Sequence, residues 1–304
     1  MRPYIFRLPE WLGQIPDWFP FIGGTQLGGR PLFAYGVMLG LSFLVGWVLS
    51  TYFMERLRQD RRKAQILFIV AAIGAIVGAR LLYFIASAPE KFSLVAFFRF
   101  QEGGLVAYGG FLGGLIVSAI AAVIIKADYW GMADGVAPAL ALGTGITRLG
   151  CYLFGCDFGD ATGAAWAVRF PRWSNPGVSQ WIPGGSPAFN QHYHDLLDRT
   201  PEFLSHAVHP TQLLLSMKGF SAFVLVMLLL PYRRFHGEVM LAFLVYYAAV
   251  RFLVECIRGD AIRGTTTMGL PLSTSQFVAA VIVMLAIPAW ILLRRRAEKK
   301  VARA

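Results

Sequence analysis

The chain has 304 residues, of which 56% are hydrophobic and 15% charged, with a mean hydropathy of +0.55. A soluble domain carries about 25% charged residues, so this composition excludes an ordinary soluble fold. The net charge of +11 sits in short runs between apolar blocks, which excludes a nucleic-acid surface and fits the runs that orient membrane helices.

Residues 1–30 carry Arg2 and Arg7 but no continuous apolar core, and Pro3, Pro9, Pro16 and Pro20 interrupt any helix, so no signal peptide is read there. Trp11, Trp18, Phe19 and Phe21 suit a segment lying in the headgroup layer. Seven apolar segments follow, at roughly 31–54, 64–87, 106–125, 133–152, 210–230, 238–257 and 273–293. Each approaches the ~20 residues that cross a hydrocarbon core. The predicted fold is an all-α polytopic membrane protein with seven transmembrane helices. Helices 1–4 occupy 31–152, a small extramembrane head 153–208, helices 5–7 residues 209–293, and a basic tail 294–304.

ERLRQDRRK joins the first two segments, PYRRFHGE joins the fifth and sixth, and the chain ends in RRRAEKKVARA. The side holding these runs has fourteen of the 28 Lys and Arg residues. The other side has ten over a far greater length, and four lie within the segments. The dense runs belong in the cytoplasm, which puts the N-terminus and the head outside.

This threading sorts the polar residues. Arg80 falls near the outer end of the second helix, Arg148 closes the fourth, and Arg251 lies in the outer half of the sixth. Tyr35 opens the first helix, Glu102 precedes the third, His209 and Gln212 open the fifth, and Asp157 and Arg258 lie just outside. Tyr247 and Glu255 stand one turn either side of Arg251, on one helix face. An isolated arginine at this depth snorkels to the interface. Small neighbours (Gly145 and Gly150 beside Arg148, Ala248 and Ala249 beside Arg251) instead turn those two toward the bundle interior. Guanidinium groups converging at headgroup depth suit a planar anion, with phosphate matching the fork best. The expected anion is a lipid phosphate.

In EGGLVAYGGFLGG, Gly109 and Gly113, like Gly110 and Gly114, have the four-residue spacing of close helix packing. The doublet Gly103–Gly104 suggests irregular backbone at membrane depth. Three cysteines form neither a disulfide framework nor a zinc pattern; Cys151 and Cys156 read as packing residues beside the site, or as a pair in an oxidising compartment. His192 and His194 read as a solvated loop rather than a metal site, and Trp166, Trp173 and Trp181 as the head's own core or as a lining for peptide access. No cofactor and no metal are expected.

These residues fall into short motifs that resemble the prolipoprotein diacylglyceryl transferase family over nearly the whole chain. FAYG holds Tyr35, VGARLLY Arg80, EGGLVAYGG Glu102 and Tyr108, and ADGVAPAL Asp134. TRLGCYLFGCDFG holds Arg148, Gly155 and Gly159, HPTQL holds His209 and Gln212, and YYAAVRFLVECIR holds Tyr247, Arg251, Glu255 and Arg258. MGLPLSTSQ opens the last helix. The sequence departs from the family where many members have His at Tyr108, Asn at Cys151, Glu at Cys156, and Tyr-Glu at Leu214 and Leu215.

The resemblance implies a bacterial inner-membrane enzyme with its head in the periplasm and its active site opening to the periplasmic leaflet. Its partners would be phosphatidylglycerol, the lipobox segment of a prolipoprotein and the surrounding membrane lipids. It would move a diacylglyceryl group to the lipobox cysteine thiol and release glycerol phosphate. On that reading Arg148 and Arg251 stabilise the departing phosphate, assisted by Arg80 or Arg258. Tyr35, Tyr247 and Gly159 belong to the headgroup site, Glu255 orients Arg251, and Tyr108 or Glu102 takes the thiol proton. Asp134, Cys151, Cys156, Asp157, His209 and Gln212 have no assigned step. Two rivals stand beside it: a homologue altered in substrate or activity, which Leu214 and Leu215 support, and a transporter of an anionic lipid or solute.

Overall fold

The computed structural model describes residues 4–7, 31–86, 89–98, 104, 106–171, 186–196, 204–259 and 272–302. Among these, Tyr4–Arg7 (β1) and Pro31–Phe33 (β2) form a small antiparallel ribbon. Helices make up most of the rest: α1 Ala34–Arg56, α2 Arg61–Ala86, α3 Leu94–Phe98, α4 Ala107–Ile124, α5 Tyr129–Phe154, α6 Pro187–Leu196, α7 Thr211–Leu229, α8 Glu238–Glu255 and α9 Thr274–Val301. By length and composition, five spans among the described residues are apolar and long enough to cross a membrane: Ala34–Arg56, Arg61–Ile85, Tyr129–Phe154, Thr211–Tyr232 and Thr274–Lys299. α4 and α8 have 18 residues each. At about 1.5 Å per residue that is shorter than a core of about 30 Å. α8 also carries Glu238, Arg251 and Glu255.

The chain divides into two compact units, one built on Arg30–Leu49 and Val136–Ala304, the other on Ser50–Gly135. In the second unit, α2 and α4 meet through glycine. A Cβ at Gly78 would lie 2.3 Å from the Gly109 carbonyl oxygen, and one at Gly113 would lie 2.2 Å from that of Gly74. The expected packing role of Gly109 and Gly113 therefore holds, and Gly74 and Gly78 complete it from the facing helix. No side chain fits between the backbones, so these helices approach closely without polar groups. The turn between α1 and α2 is closed by Arg58 in the left-handed region (φ 54°) and by Asp60, whose Oδ1 accepts from Arg62 N (2.9 Å) and Lys63 N (3.2 Å). That carboxylate caps the exposed N–H groups of α2.

In the first unit, α5 and α7 meet through Gly145 and Gly219: a Cβ at Gly219 would lie 2.4 Å from Gly145 N. Ser216 Oγ donates to the Gly145 carbonyl at 2.8 Å. Gly150 lets α5 approach α1, since a Cβ there would be 3.2 Å from Tyr35 Cα. α9 begins on a capping box: Gln276 N donates to Ser273 Oγ at 3.2 Å, and Ser273 N to Gln276 Oε1 at 3.0 Å.

The head has a small core of Phe158, Phe170, Ala188 and Val208, with Tyr152 against it. Trp166 is not part of that core. It is exposed, and its Nε1 donates to His209 Nδ1 at 3.2 Å. Trp173 and Trp181 lie outside the described residues. His192 and His194 sit on α6 rather than in a loop, and the His192 ring lies 4.9 Å from His206 and 5.6 Å from Phe158.

Candidate active site

Three chain turns of the first unit are laced together by backbone hydrogen bonds. Gly159 N donates to His209 O (2.9 Å), His209 N to Asp160 O (3.0 Å), Asp160 N to Ile257 O (3.1 Å) and Gly259 N to Phe158 O (3.3 Å). The segments following α5, preceding α7 and following α8 are thereby fixed to one another. Gly159 is required there, because a Cβ would stand 2.6 Å from His209 Cβ and 2.8 Å from Ile257 O. α5 ends on Gly155 at φ 82°, a left-handed conformation that glycine adopts without steric cost. Asp157 follows at φ 56°, held by its own carbonyl accepting from Thr211 Oγ1 (2.6 Å). Gln212, fully buried, donates to the Cys156 carbonyl at 2.7 Å. HPTQL is therefore a clamp on residues 156 and 157, and Thr211, absent from the sequence-derived set, is half of it.

The clamp aims the Asp157 carboxylate at two guanidiniums: Oδ2 accepts from Arg148 Nη1, and Oδ1 from Arg258 Nη2. Arg258 Nη1 lies 3.9 Å from Glu255 Oε2. The same oxygen is 2.9 Å from Arg251 Nη1, and Arg251 Nη2 donates to Ser275 Oγ at 2.8 Å. Arg148, Asp157, Arg258, Glu255 and Arg251 thus form one alternating ladder of charge drawn from α5, α8 and the turns beyond them. Glu255 and Arg251 are buried. Burial opposes charge on Asp157, but Arg148 and then Arg258 outweigh it, so its carboxyl is held below the ordinary carboxylate range, with Arg251 contributing.

Cys151 is buried, and its Sγ lies 3.8 Å from Arg148 Nη1. The Cys156 thiol is pushed up, first by hydrogen bonding with Cys151 and then by burial. All three cysteines are free thiols. The donor atoms of Cys151, Cys156 and Asp157 gather within 4.8 Å of one another. Both Asp157 oxygens already face guanidiniums, whose positive charge opposes a further cation.

Tyr35 is exposed at the start of α1, with its ring 6.4 Å from that of Phe154. Lys218 Nζ lies 3.4 Å from the centre of the Tyr247 ring; Lys218 is a buried residue of α7 outside the motifs read from the sequence. Leu215 is fully buried one turn before it, and Leu214 is exposed.

The second unit holds the remaining residues. Arg80 is buried, and its guanidinium is spent on backbone: Nε donates to Phe97 O (3.1 Å), Nη1 to Gly104 O (3.1 Å) and Nη2 to Ala96 O (2.6 Å). Its cation stands 4.9 Å over the Phe84 ring. Arg80 therefore ties the Ala96, Phe97 and Gly104 carbonyls to α2. Gly104, at φ 75°, leaves it room, as a Cβ there would lie 2.9 Å from Nη1. Tyr108 is half-buried on α4, Asp134 is fully buried on α5, and Glu102 lies outside the described residues.

Known proteins match the chain along most of its length. The profile of the family described as prolipoprotein diacylglyceryl transferase matches residues 24–292. The chain is 29% identical over 265 residues to phosphatidylglycerol–prolipoprotein diacylglyceryl transferase 2 of Clostridium perfringens, covering 85% of this chain and 90% of that relative. It is 29% identical over 265 residues to the phosphatidylglycerol–prolipoprotein diacylglyceryl transferase of Clostridium tetani, covering 86% and 93%. The similarly named protein of Bacillus cereus strain B4264 is 27% identical over 277 residues, covering 89% and 91%.

Proposed function

The chain belongs to the prolipoprotein diacylglyceryl transferase family, and on that premise we propose that it transfers the diacylglyceryl group of phosphatidylglycerol to the lipobox cysteine of prolipoproteins. The observation that carries this reading is the ladder from Arg148 through Asp157, Arg258 and Glu255 to Arg251. Three guanidiniums with two carboxylates between them leave one positive charge in excess, which matches a phosphodiester monoanion.

The thiolate sulfur attacks the glycerol carbon that bears the phosphodiester. The new S–C bond forms as the C–O bond breaks, and the electron pair leaves on the phosphate oxygen as glycerol phosphate. Charge grows on that oxygen, and fixed guanidiniums in a water-poor site stabilise it without reorganising. We assign the grip to Arg148 and Arg251, with Arg258 held in register by Asp157. Tyr35 and Tyr247 hydrogen-bond the headgroup, and Glu255 holds Arg251 in its rotamer. The two candidates that the sequence offers for the thiol proton, Tyr108 and Glu102, belong to the second unit, and Glu102 lies outside the described residues. The reacting thiol is the substrate's, consistent with a Cys156 thiol held in its protonated form.

The topology proposed with this function has seven crossings, the five long spans together with α4 and α8. The N-terminus and the 153–208 head face the periplasm of a bacterial inner membrane, and the 294–304 tail faces the cytoplasm. The density of basic residues in the turn after α1 and beyond α9 supports this orientation. The test is rescue of a strain depleted of its own transferase, paired with mass detection of glycerol phosphate and diacylglyceryl peptide from purified protein. Rescue with both products is expected. Well-expressed protein that neither rescues nor releases glycerol phosphate would contradict the assignment.

A further inference from the structure

Lys218 stands in the middle of α7, in a span otherwise free of charged side chains. A lysine at such depth ordinarily runs its stem to the interface and leaves the ammonium in water. This one does not: the residue is 4% exposed. Its nitrogen lies 3.4 Å from the centre of the Tyr247 ring, and among the described residues it faces no carboxylate and makes no hydrogen bond. The charged and titratable groups around it are Arg148 from α5 and Tyr247 and Arg251 from α8. A buried lysine among guanidiniums, with no counter-ion of its own, is the setting in which lysine acts as a proton acceptor.

Resting on the transferase reading, we propose that Lys218 is the base of the reaction: it takes the proton of the lipobox thiol and, as an ammonium, faces the resulting thiolate. The exchange balances, amine and thiol giving ammonium and thiolate. The charges balance as well. With Lys218 protonated, Arg148, Arg251, Arg258 and Lys218 oppose Asp157 and Glu255, leaving two positive charges. Thiolate and phosphodiester bring two negative charges, and the products, a neutral thioether and a phosphate monoester dianion, carry the same two. The site is therefore neutralised throughout the transfer only when Lys218 holds the proton.

The test compares wild type, Lys218→Met and Lys218→Arg in purified transfer with a lipobox peptide and phosphatidylglycerol, at pH 7 and pH 9.5, with thermal melts to verify folding. General-base removal ordinarily costs 10²–10⁴-fold. Both variants are expected to lose about 100-fold or more in kcat at pH 7, because arginine keeps the charge but does not exchange the proton. The KM for phosphatidylglycerol stays within about threefold. The Lys218→Met deficit shrinks at least tenfold at pH 9.5, where a free thiol with pKa near 8.5 ionises unaided. Folded variants that keep half the wild-type turnover would overturn the inference, as would a deficit equal at both pH values or a loss confined to lipid KM. In each of those cases the wild type still transfers, so the transferase reading survives. A wild type that releases no glycerol phosphate would sink that reading itself.

Discussion

Replacing Asp157 by Asn removes the one charge that two guanidiniums share while keeping the shape of the side chain. Asp157 accepts from Arg148 and from Arg258. Hydrogen bonds to charged groups contribute about 1.5–3 kcal/mol each, and breaking one side of a buried ion pair costs about 3–5 kcal/mol. With 24% of the carboxylate side chain still exposed, solvent takes part of that, and the lower figure of about 3 kcal/mol applies. At about 2 °C per kcal/mol for a long chain, Asp157→Asn melts ~6 °C lower at pH 7. The pH dependence has a definite sign. Because the folded carboxyl sits below the ordinary value of about 3.9, its stabilisation is complete above that value and disappears as pH falls through the lowered one. The wild-type advantage in detergent melts is therefore constant from pH 5 to 8 and collapses below about pH 4. Arg148 released from its clamp also loses position, and an error of about 1 Å costs on the order of 100-fold in turnover. Equal melts at pH 7, or an advantage that grows on acidification, would refute this reasoning.

Cys151→Ser is expected to keep most of the activity, since the reacting thiol comes from the substrate; peptide lipidation followed by mass spectrometry checks it, and full loss would point to a covalent enzyme thiol. Gly78→Leu forces a side chain where a Cβ alone would stand 2.3 Å from the Gly109 carbonyl oxygen, so folded yield in size-exclusion chromatography falls severalfold. Gly46→Ala, with nothing within 4 Å of the added Cβ, leaves that yield unchanged.

Much of the site was legible because helix periodicity is local. Tyr247, Arg251 and Glu255 recur every four residues, and the 2.9 Å ion pair follows from that spacing. Gly109 and Gly113 announced a close contact in the same way, although their partners Gly74 and Gly78 went unread. What the linear pattern hid depends on backbone and tertiary geometry. The bridging role of Asp157 needs a left-handed residue and a clamp from Thr211 and Gln212, which belong to another helix. The backbone contacts of Arg80 could not be read from its depth, because the carbonyls that accept from it lie 16 to 24 residues further along the chain. Lys218 went unread in its apolar run, because its burial depends on the helices packed against α7. Of the two readings of Trp166, the head's core does not hold: Phe158 and Phe170 occupy that core, and Trp166 is exposed.

Turnover by Arg148→Ala and Arg251→Ala, each purified, folded by thermal melt and supplied with phosphatidylglycerol and a lipobox peptide, tests the phosphate grip most directly. Thioether product and glycerol phosphate should fall together by at least 100-fold in both variants while wild type forms the two in equal amounts. Either variant retaining more than a tenth of wild-type turnover would contradict a transfer that depends on these two guanidiniums.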